Sequence, residues 1–404
     1  VRALDPTVAA AIVRALVAVI GELGRSPRML AHVGALLRAG YEVHLIGGTS
    51  AELPATLRNE ARLHVHALDG DAARPGSGIA AVLKIIWRGL RLTWRLTRLM
   101  LWQAPRPDLV LIQNPPTLPT FGVALVVSRL RRARLIIDWH NLGWSVLGLR
   151  FGRSHPLVRA ARWAEYALGR HADGHLVVSH RLATHLHEHG IADAIVLHDG
   201  PSAVRPFGRA GDSRPDDPLI IVAPMGWTRD DDLPLLADAL RLLASHSARG
   251  AAPHRTIVLR VSGHGPLRSA WAAALRALTS DHVVVETPDV PTDGYPALLA
   301  ASNIGLCVHR SASQLDLPMK VIELRAVGLP VLLLDDGSPL DEIAPMDSGV
   351  VRFTSADALA ESVHRLLSEP ALVAQLTAAA RANPPRAWED AWVSAMAPFV
   401  RRPT

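Results

Sequence analysis

Along the chain, short runs of Val, Ile and Leu alternate with longer stretches whose apolar positions recur every three or four residues. Parallel sheets built from β-α-β units give this pattern, because their strands are covered on both faces and read as unbroken apolar runs. The runs predict strands at 15–20, 42–46, 62–67, 109–113, 134–138, 175–178 and 194–197, and a second set at 219–223, 256–261, 282–286, 304–308, 330–334 and 349–353. Both sets read as doubly wound, Rossmann-like α/β domains. Residues 201–218 hold four prolines and acidic turns without a hydrophobic period, which marks a linker. The expected organisation is a first domain over 1–200, the linker at 201–218, a second domain over 219–380, and a helical segment over 381–404 packing back toward the first domain. Ligands of such sheets bind beyond the carboxyl ends of the strands, so the active site is expected in a cleft between the two domains.

One segment breaks the alternation. Residues 79–103 are long enough for about six helical turns. Lys84, Arg88, Arg91, Arg95 and Arg98 step by four, three, four and three, so all five fall on one stripe, bordered by Trp87 and Trp94. No acid stands between Asp71 and Asp108. A basic amphipathic helix carrying tryptophan is the form of an interfacial membrane anchor, and an anionic membrane surface is the expected partner. A surface helix whose apolar face covers the sheet is the plainer alternative.

Charge strengthens the first reading. Up to position 200 there are 24 Arg and Lys against 14 Asp and Glu, a balance of +10, whereas the remainder carries 19 against 23, or −4. The basic half points to an anionic partner. No nucleic-acid fold signature accompanies it, so nucleic acid is not expected. No apolar run is long enough to span a bilayer and no signal-type segment opens the chain, so the expectation is a peripheral protein. The single cysteine, Cys307, lies in an apolar run. That excludes a disulfide framework and fits a reducing, cytosolic face.

Candidate chemistry sits at predicted strand ends. After the first strand comes G-E-L-G-R-S-P-R-M at 21–29, where glycines permit a tight turn, Ser26 can cap a helix and Pro27 suits its first position. The loop aims a helix N-terminus with Gly24, Arg25 and Arg28 at an anion, phosphate or acceptor. The fourth strand ends in Gln113-Asn114-Pro115-Pro116 and the fifth in Asp138-Trp139-His140-Asn141. Asn114 and Asn141 are further phosphate or acceptor ligands. Asp138 is the first candidate for a general base, His140 the second, and Glu22 the third by fold analogy alone.

In the second half, S-G-H-G-P-L at 262–267 follows a strand, and Gly263, His264 and Gly265 can offer backbone N–H groups to a phosphate. Lys320 and Glu323 are three apart on a predicted helix, an ammonium for a diphosphate and a carboxylate for ribose hydroxyls. Of 43 basic residues only Lys84 and Lys320 are lysine, which singles out Lys320 as a place needing a compact cation. The run Asp230-Asp231-Asp232 invites a metal reading, but Thr228 to Asp231 resembles a capping box, and neither metal nor cofactor is expected.

Taken together, these motifs resemble the chitobiosyldiphosphodolichol β-mannosyltransferase family. The likeness rests on 21–29, Q-N-P-P-T-L-P at 113–119, I-D-W-H-N-L-G-W-S at 137–145, H-P-L-V at 155–158, the stretch 163–170, S-G-H-G-P-L-R at 262–268 and L-D-L-P-M-K-V-I-E at 315–323. It implies a GT-B fold, GDP-mannose as the nucleotide-sugar donor, inversion at the anomeric carbon, a lipid-linked saccharide acceptor and action at a cytosolic membrane face. Two other readings stay open at this point: a retaining GT-B transferase, distinguished by its anomeric product, and a non-catalytic sugar-nucleotide-binding subunit, distinguished by binding without turnover.

Overall fold

A computed structural model describes residues 12–68, 79–211, 217–248 and 255–400, without the side chains of 79–86 and 246–248. The chain divides into two compact units, Val1–Leu197 with Glu389–Thr404, and His198–Trp388. Of the segment expected as a linker, positions 212–216 lie outside the described residues.

The first unit is a seven-stranded, wholly parallel sheet: β1 (Arg14–Glu22), β2 (Glu42–Gly48), β3 (Leu63–Ala67), β4 (Leu109–Asn114), β5 (Arg134–Trp139), β6 (Gly174–Val177) and β7 (Ile195–Val196), in the order β3-β2-β1-β4-β5-β6-β7. Ala15, Leu16, Val17, Ala18 and Val19 have no exposure at all, as a central strand between two helical layers requires. The order reverses between β1 and β4. At such a switch point the loops leaving neighbouring strands diverge and open a crevice beyond the carboxyl ends. The loops after β1 and β4 are the motifs at 21–29 and 113–119.

The second unit repeats the plan with six parallel strands: β8 (Leu219–Pro224), β9 (Ile257–Ser262), β10 (Val283–Glu286), β11 (Ile304–Cys307), β12 (Val331–Leu334) and β13 (Val350–Phe353), ordered β10-β9-β8-β11-β12-β13. Its switch point lies between β8 and β11, whose following loops carry Asp230 to Asp232 and the motif 315–323. Trp227, Leu233, Leu236 and Leu240 pack with alternate strand residues on one face, and Val321, Ile322 and Leu324 with the others on the opposite face.

Residues 389–400 complete the first unit. Trp392 Nε1 donates to His32 Nδ1 at 2.9 Å, Arg38 pairs with Glu389 at 2.7 Å, and the Phe399 ring lies against Gly174 where a side chain would stand.

The basic segment is a helix over Ile79–Arg98 that ends in a wider turn, Leu99–Gln103. Leu96 and Met100 are fully buried, while Trp87, Leu90, Trp94 and Trp102 are 60% to 66% exposed. The Lys84 side chain lies outside the described residues. No described helix is long and apolar enough to cross a membrane.

Candidate active site

Helix Pro27–Arg38 begins where β1 ends. Ser26 stands at its N-cap position, but the hydroxyl donates to Glu22 O at 3.0 Å instead of capping the helix. Arg25 is exposed beside it, and Gly24 is buried where a side chain would strike the Glu52 carbonyl. Glu22 accepts from Ser50 N and Ala51 N at 3.0 and 3.1 Å, tying the ends of β1 and β2 together. Hydrogen bonding at Ser50 holds its carboxyl below the usual range. This engagement gives Glu22 a positioning job.

Arg28 corrects the sequence reading. It is 2% exposed and turned inward, toward a carboxylate of the protein itself and not toward a ligand. Its Nε and Nη2 donate to the two Asp138 oxygens at 2.8 and 2.7 Å, and its Nη1 to Leu197 O at 2.8 Å. Two imidazoles complete the shell: His32 Nε2 at 3.1 Å and His140 Nε2 at 2.8 Å, both on Asp138 Oδ2. Burial alone would raise the Asp138 carboxyl, but the Arg28 charge, with His140 and His32, holds it well below its ordinary value. Burial depresses His32, so its ring is neutral. Trp392 can only donate, so His32 Nδ1 accepts and Nε2–H points at Asp138.

Asp138 therefore cannot serve as the base that sequence ranked first. It has no exposure, and four donors already face its two oxygens. The group it presents is His140, whose side chain keeps 26% exposure. With Nε2–H donated to Asp138, Nδ1 is left as the acceptor on that ring.

Asn114 and Asn141, expected as ligands, are likewise internal. Asn114 is fully buried. Its amide donates to Asn141 O at 3.0 Å and Glu165 Oε1 at 2.6 Å, and its carbonyl accepts from Thr117 at 2.9 Å, so both of its N–H donors are taken inside the protein. Asn141 Oδ1 caps Leu142 N at 2.7 Å. The hub, missed in sequence although inside the stretch 163–170, is Glu165. Its carboxylate takes Gly143 N and Trp144 N at 2.9 and 3.0 Å, satisfying the start of helix Gly143–Phe151. Burial nevertheless raises it above the normal carboxyl value. The network locks the loop after β5 and so aims His140.

In the second unit, Gly263 takes φ of +111°, and a side chain there or at Gly265 would strike the carbonyls of Met225 and Gly226. The glycines thus let the loops after β8 and β9 pack backbone on backbone, with Leu267 N on Trp227 O at 2.9 Å. His264 pairs with Asp289 at 2.7 Å.

Lys320 and Glu323 share helix Met319–Ala326 but not a partner. Lys320 Nζ meets buried Asp231 at 2.6 Å, at the β8/β11 switch point. Glu323 accepts from Tyr295 Oη at 2.8 Å, with Arg205 3.9 Å away, and burial raises its carboxyl. The expected capping box is also corrected. The helix starts at Leu233, and its cap is Asp232, which accepts from Leu235 N at 3.1 Å and pairs with Arg310 at 2.6 Å. Asp231 does accept from Thr228 N at 3.4 Å, the carboxylate half of the expected box, but on a turn that bridges to His309 beside β11, and the helix itself is capped by the third acid of the run.

Comparison with known proteins closes the picture. Two family descriptions match: Glycosyl transferase 4-like domain over residues 24–200 and Glycosyl transferase-like over 241–387. The chitobiosyldiphosphodolichol beta-mannosyltransferase of Kluyveromyces lactis is 29% identical over 406 residues, covering 95% of this chain and 89% of that one. The Homo sapiens protein of the same name is 28% identical over 432 residues, covering 95% and 91%. That of Arthroderma benhamiae is 31% identical over 307 residues, covering 70% and 67%. Among solved structures, Anabaena HepE in complex with UDP and glucose superposes with a TM-score of 0.61 at 14% identity, covering 92% of this chain and 94% of that one. A glycosyltransferase from Rickettsia africae gives 0.58 at 14%, covering 92% and 93%. The two sheets and these likenesses establish the GT-B fold.

Proposed function

The chain belongs to the chitobiosyldiphosphodolichol β-mannosyltransferase family of glycosyltransferases, and from that premise we propose that it moves mannose from GDP-mannose, with inversion, to a saccharide carried on a polyprenyl diphosphate. Inversion in one displacement needs a base for the acceptor hydroxyl and charge compensation for the departing diphosphate. The observation that carries the reading is the half-open imidazole of His140 seated on an Asp138 that Arg28 and His32 keep ionised.

In the proposed step an acceptor hydroxyl oxygen bonds to the anomeric carbon, the bond from that carbon to the diphosphate breaks, and the hydroxyl proton passes to His140 Nδ1. Asp138 then faces an imidazolium, which it stabilises without taking the proton. Lys320 uses one of its three N–H donors on Asp231 and has two for diphosphate oxygens. Glu323, fixed by Tyr295, suits ribose hydroxyls. Backbone N–H groups of the Gly263 to Gly265 loop, in the same unit as Lys320, supply further positive ends. Proposed charge compensation of this kind runs without a metal ion, and turnover is expected to survive a chelator.

The acceptor is brought in along helix Ile79–Arg98, which we read as lying on the cytosolic face of an anionic membrane. Exposed tryptophans beside Arg88, Arg91, Arg95 and Arg98, backed by buried Leu96 and Met100, support that placement.

The test is incubation with GDP-mannose, GDP-fucose and UDP-sugars against a short-chain polyprenyl-diphosphate chitobiose, with the one-bond anomeric C–H coupling read by NMR. A β-mannosyl product is expected. An α product would establish retention instead, and intact GDP-mannose binding without any product would mark a binding subunit.

A further inference from the structure

The edge of the first sheet carries chemistry that sugar transfer does not use. The sequence reads E-V-H at 42–44 and H-V-H at 64–66. In a strand, residues two apart share a face, and β2 and β3 pair in parallel with His44 opposite His64 and Ile46 opposite His66. One carboxylate and three imidazoles therefore gather on one side of the two strands.

Their geometry is convergent. Arg14 occupies Glu42 Oε2 at 2.9 Å and leaves Oε1 facing inward. That oxygen is 3.0 Å from His64 Nε2 and 3.5 Å from His44 Nε2. All three donor atoms lie within 4.8 Å of one another. His44 is 6% exposed, and its Nε2 is buried without a hydrogen-bond partner. Its other nitrogen, Nδ1, is 3.0 Å from His66 Nε2, and its ring stacks on both His64 and His66.

We propose that Glu42 Oε1, His44 Nε2 and His64 Nε2 form a binding site for a first-row divalent cation of the zinc class, with the fourth position open to water. Tetrahedral zinc with bonds of about 2.0 to 2.1 Å sets its ligands about 3.4 Å apart, close to the two separations to Glu42. The outer contacts are also those of a metal site. Arg14 orients the carboxylate, and His66 accepts from His44 Nδ1–H, which fixes the tautomer that leaves Nε2 free to ligate. Burial first, then His64 and His66, hold His44 down to about 4, so its ring is neutral at neutral pH.

A second histidine group of the first unit, His185 with Glu188 and His189, lacks this readiness. His185 Nε2 is on Tyr166 Oη at 2.8 Å, and His189 has Nδ1 on His185 O and Nε2 against Arg162. The Glu42 site lies at the amino ends of β2 and β3, whereas the loops bearing His140 and Arg25 leave carboxyl ends. The cation's work is therefore structural: it cross-links edge strand β3, whose pairing is with β2, to the sheet.

The experiment uses the full chain without a polyhistidine tag, stripped by chelator and titrated calorimetrically with zinc chloride. One ion per chain is expected, with a rise in melting temperature, and Co2+ in its place should show four-coordinate d–d absorption. His64→Gln, at a half-exposed ring, should weaken zinc binding by about 100-fold and abolish the thermal rise, and His66→Gln should weaken it by about 10-fold, as loss of an orienting contact does. Circular dichroism checks that both variants fold, and His185→Ala should bind as the parent does. Absence of zinc uptake by the stripped protein, or equal uptake by the parent and His64→Gln, overturns the proposal.

Discussion

His140 Nε2 and Asp138 Oδ2 stand 2.8 Å apart, and solvent reaches the imidazole but not the carboxylate. In the proposed step the pair divides the labour of a base, His140 taking the acceptor proton and Asp138 orienting the ring. His140→Ala should lower turnover by about 10²-fold or more while GDP-mannose affinity, read calorimetrically, stays near normal. Asp138→Asn should lower turnover too, and also stability, because Arg28 is left buried without its anion at a cost on the order of 3 kcal/mol. Initial rates beside melting curves separate the two. Near-normal turnover in His140→Ala would remove it from the reaction.

Lys320 faces the departing diphosphate in the proposed step, so Lys320→Ala should damage donor affinity and rate together. Lys320→Arg should recover little, since a planar fork does not replace a compact ammonium held 2.6 Å from buried Asp231. Glu323→Gln should mainly weaken nucleotide binding, because ribose contacts change little as the glycosidic bond breaks. Calorimetric titration of GDP-mannose beside initial rates distinguishes these patterns.

Replacing Arg88, Arg91 and Arg95 with Gln should weaken binding to vesicles containing anionic lipid, by about 1 kcal/mol for each cation near the surface, and leave GDP-mannose affinity unchanged. Co-sedimentation at low and high salt reads both the loss and its screening. Vesicle binding indifferent to the three changes would leave the helix as ordinary cover for the sheet.

Stability should fall on mild acidification. Burial holds His175, which accepts from Trp139 Nε1 at 3.2 Å, down to about 4 from the ordinary 6.5. Between those values the unfolded chain takes up a proton that the folded chain refuses. The contribution is thus complete above about pH 6.5 and is lost as pH falls toward 4, on the order of 3 kcal/mol for a shift of that size. His32 is displaced in the same direction. Depressed Asp138 adds its own loss only below the usual aspartate value of 3.8. Melting temperature followed from neutral pH downward should show the decline, less steeply in His175→Gln.

All thirteen strands were legible in the sequence because buried parallel strands write themselves as unbroken apolar runs. Strand order was not, since pairing is decided by where each crossover helix lands. The motifs mark both switch points, yet the jobs of individual residues differ from what spacing suggests. Asp138 belongs to a strand buried on both faces, so its carboxylate lies under the helix that carries Arg28 and His32. His140 is the first polar residue beyond that strand, and there the chain reaches solvent. The signal for this was present: Arg28 and His32 are four apart, on one helical face. Gly263 and Gly265 read from sequence as a phosphate loop, and the fold adds a second reason for glycine there, the close approach of the Met225 and Gly226 carbonyls.

Residues 389–400 belong to the first unit, and Trp392 fixes the tautomer with which His32 addresses Asp138. On the ribosome those residues follow all of His198–Trp388. At the usual 5 to 20 residues per second, the first unit waits roughly 10 to 40 s between emergence of its seventh strand and arrival of Trp392. Throughout that interval the unit holds Arg28, His32 and Asp138 without Trp392, so the tautomer of His32 is fixed only when the end of the chain arrives.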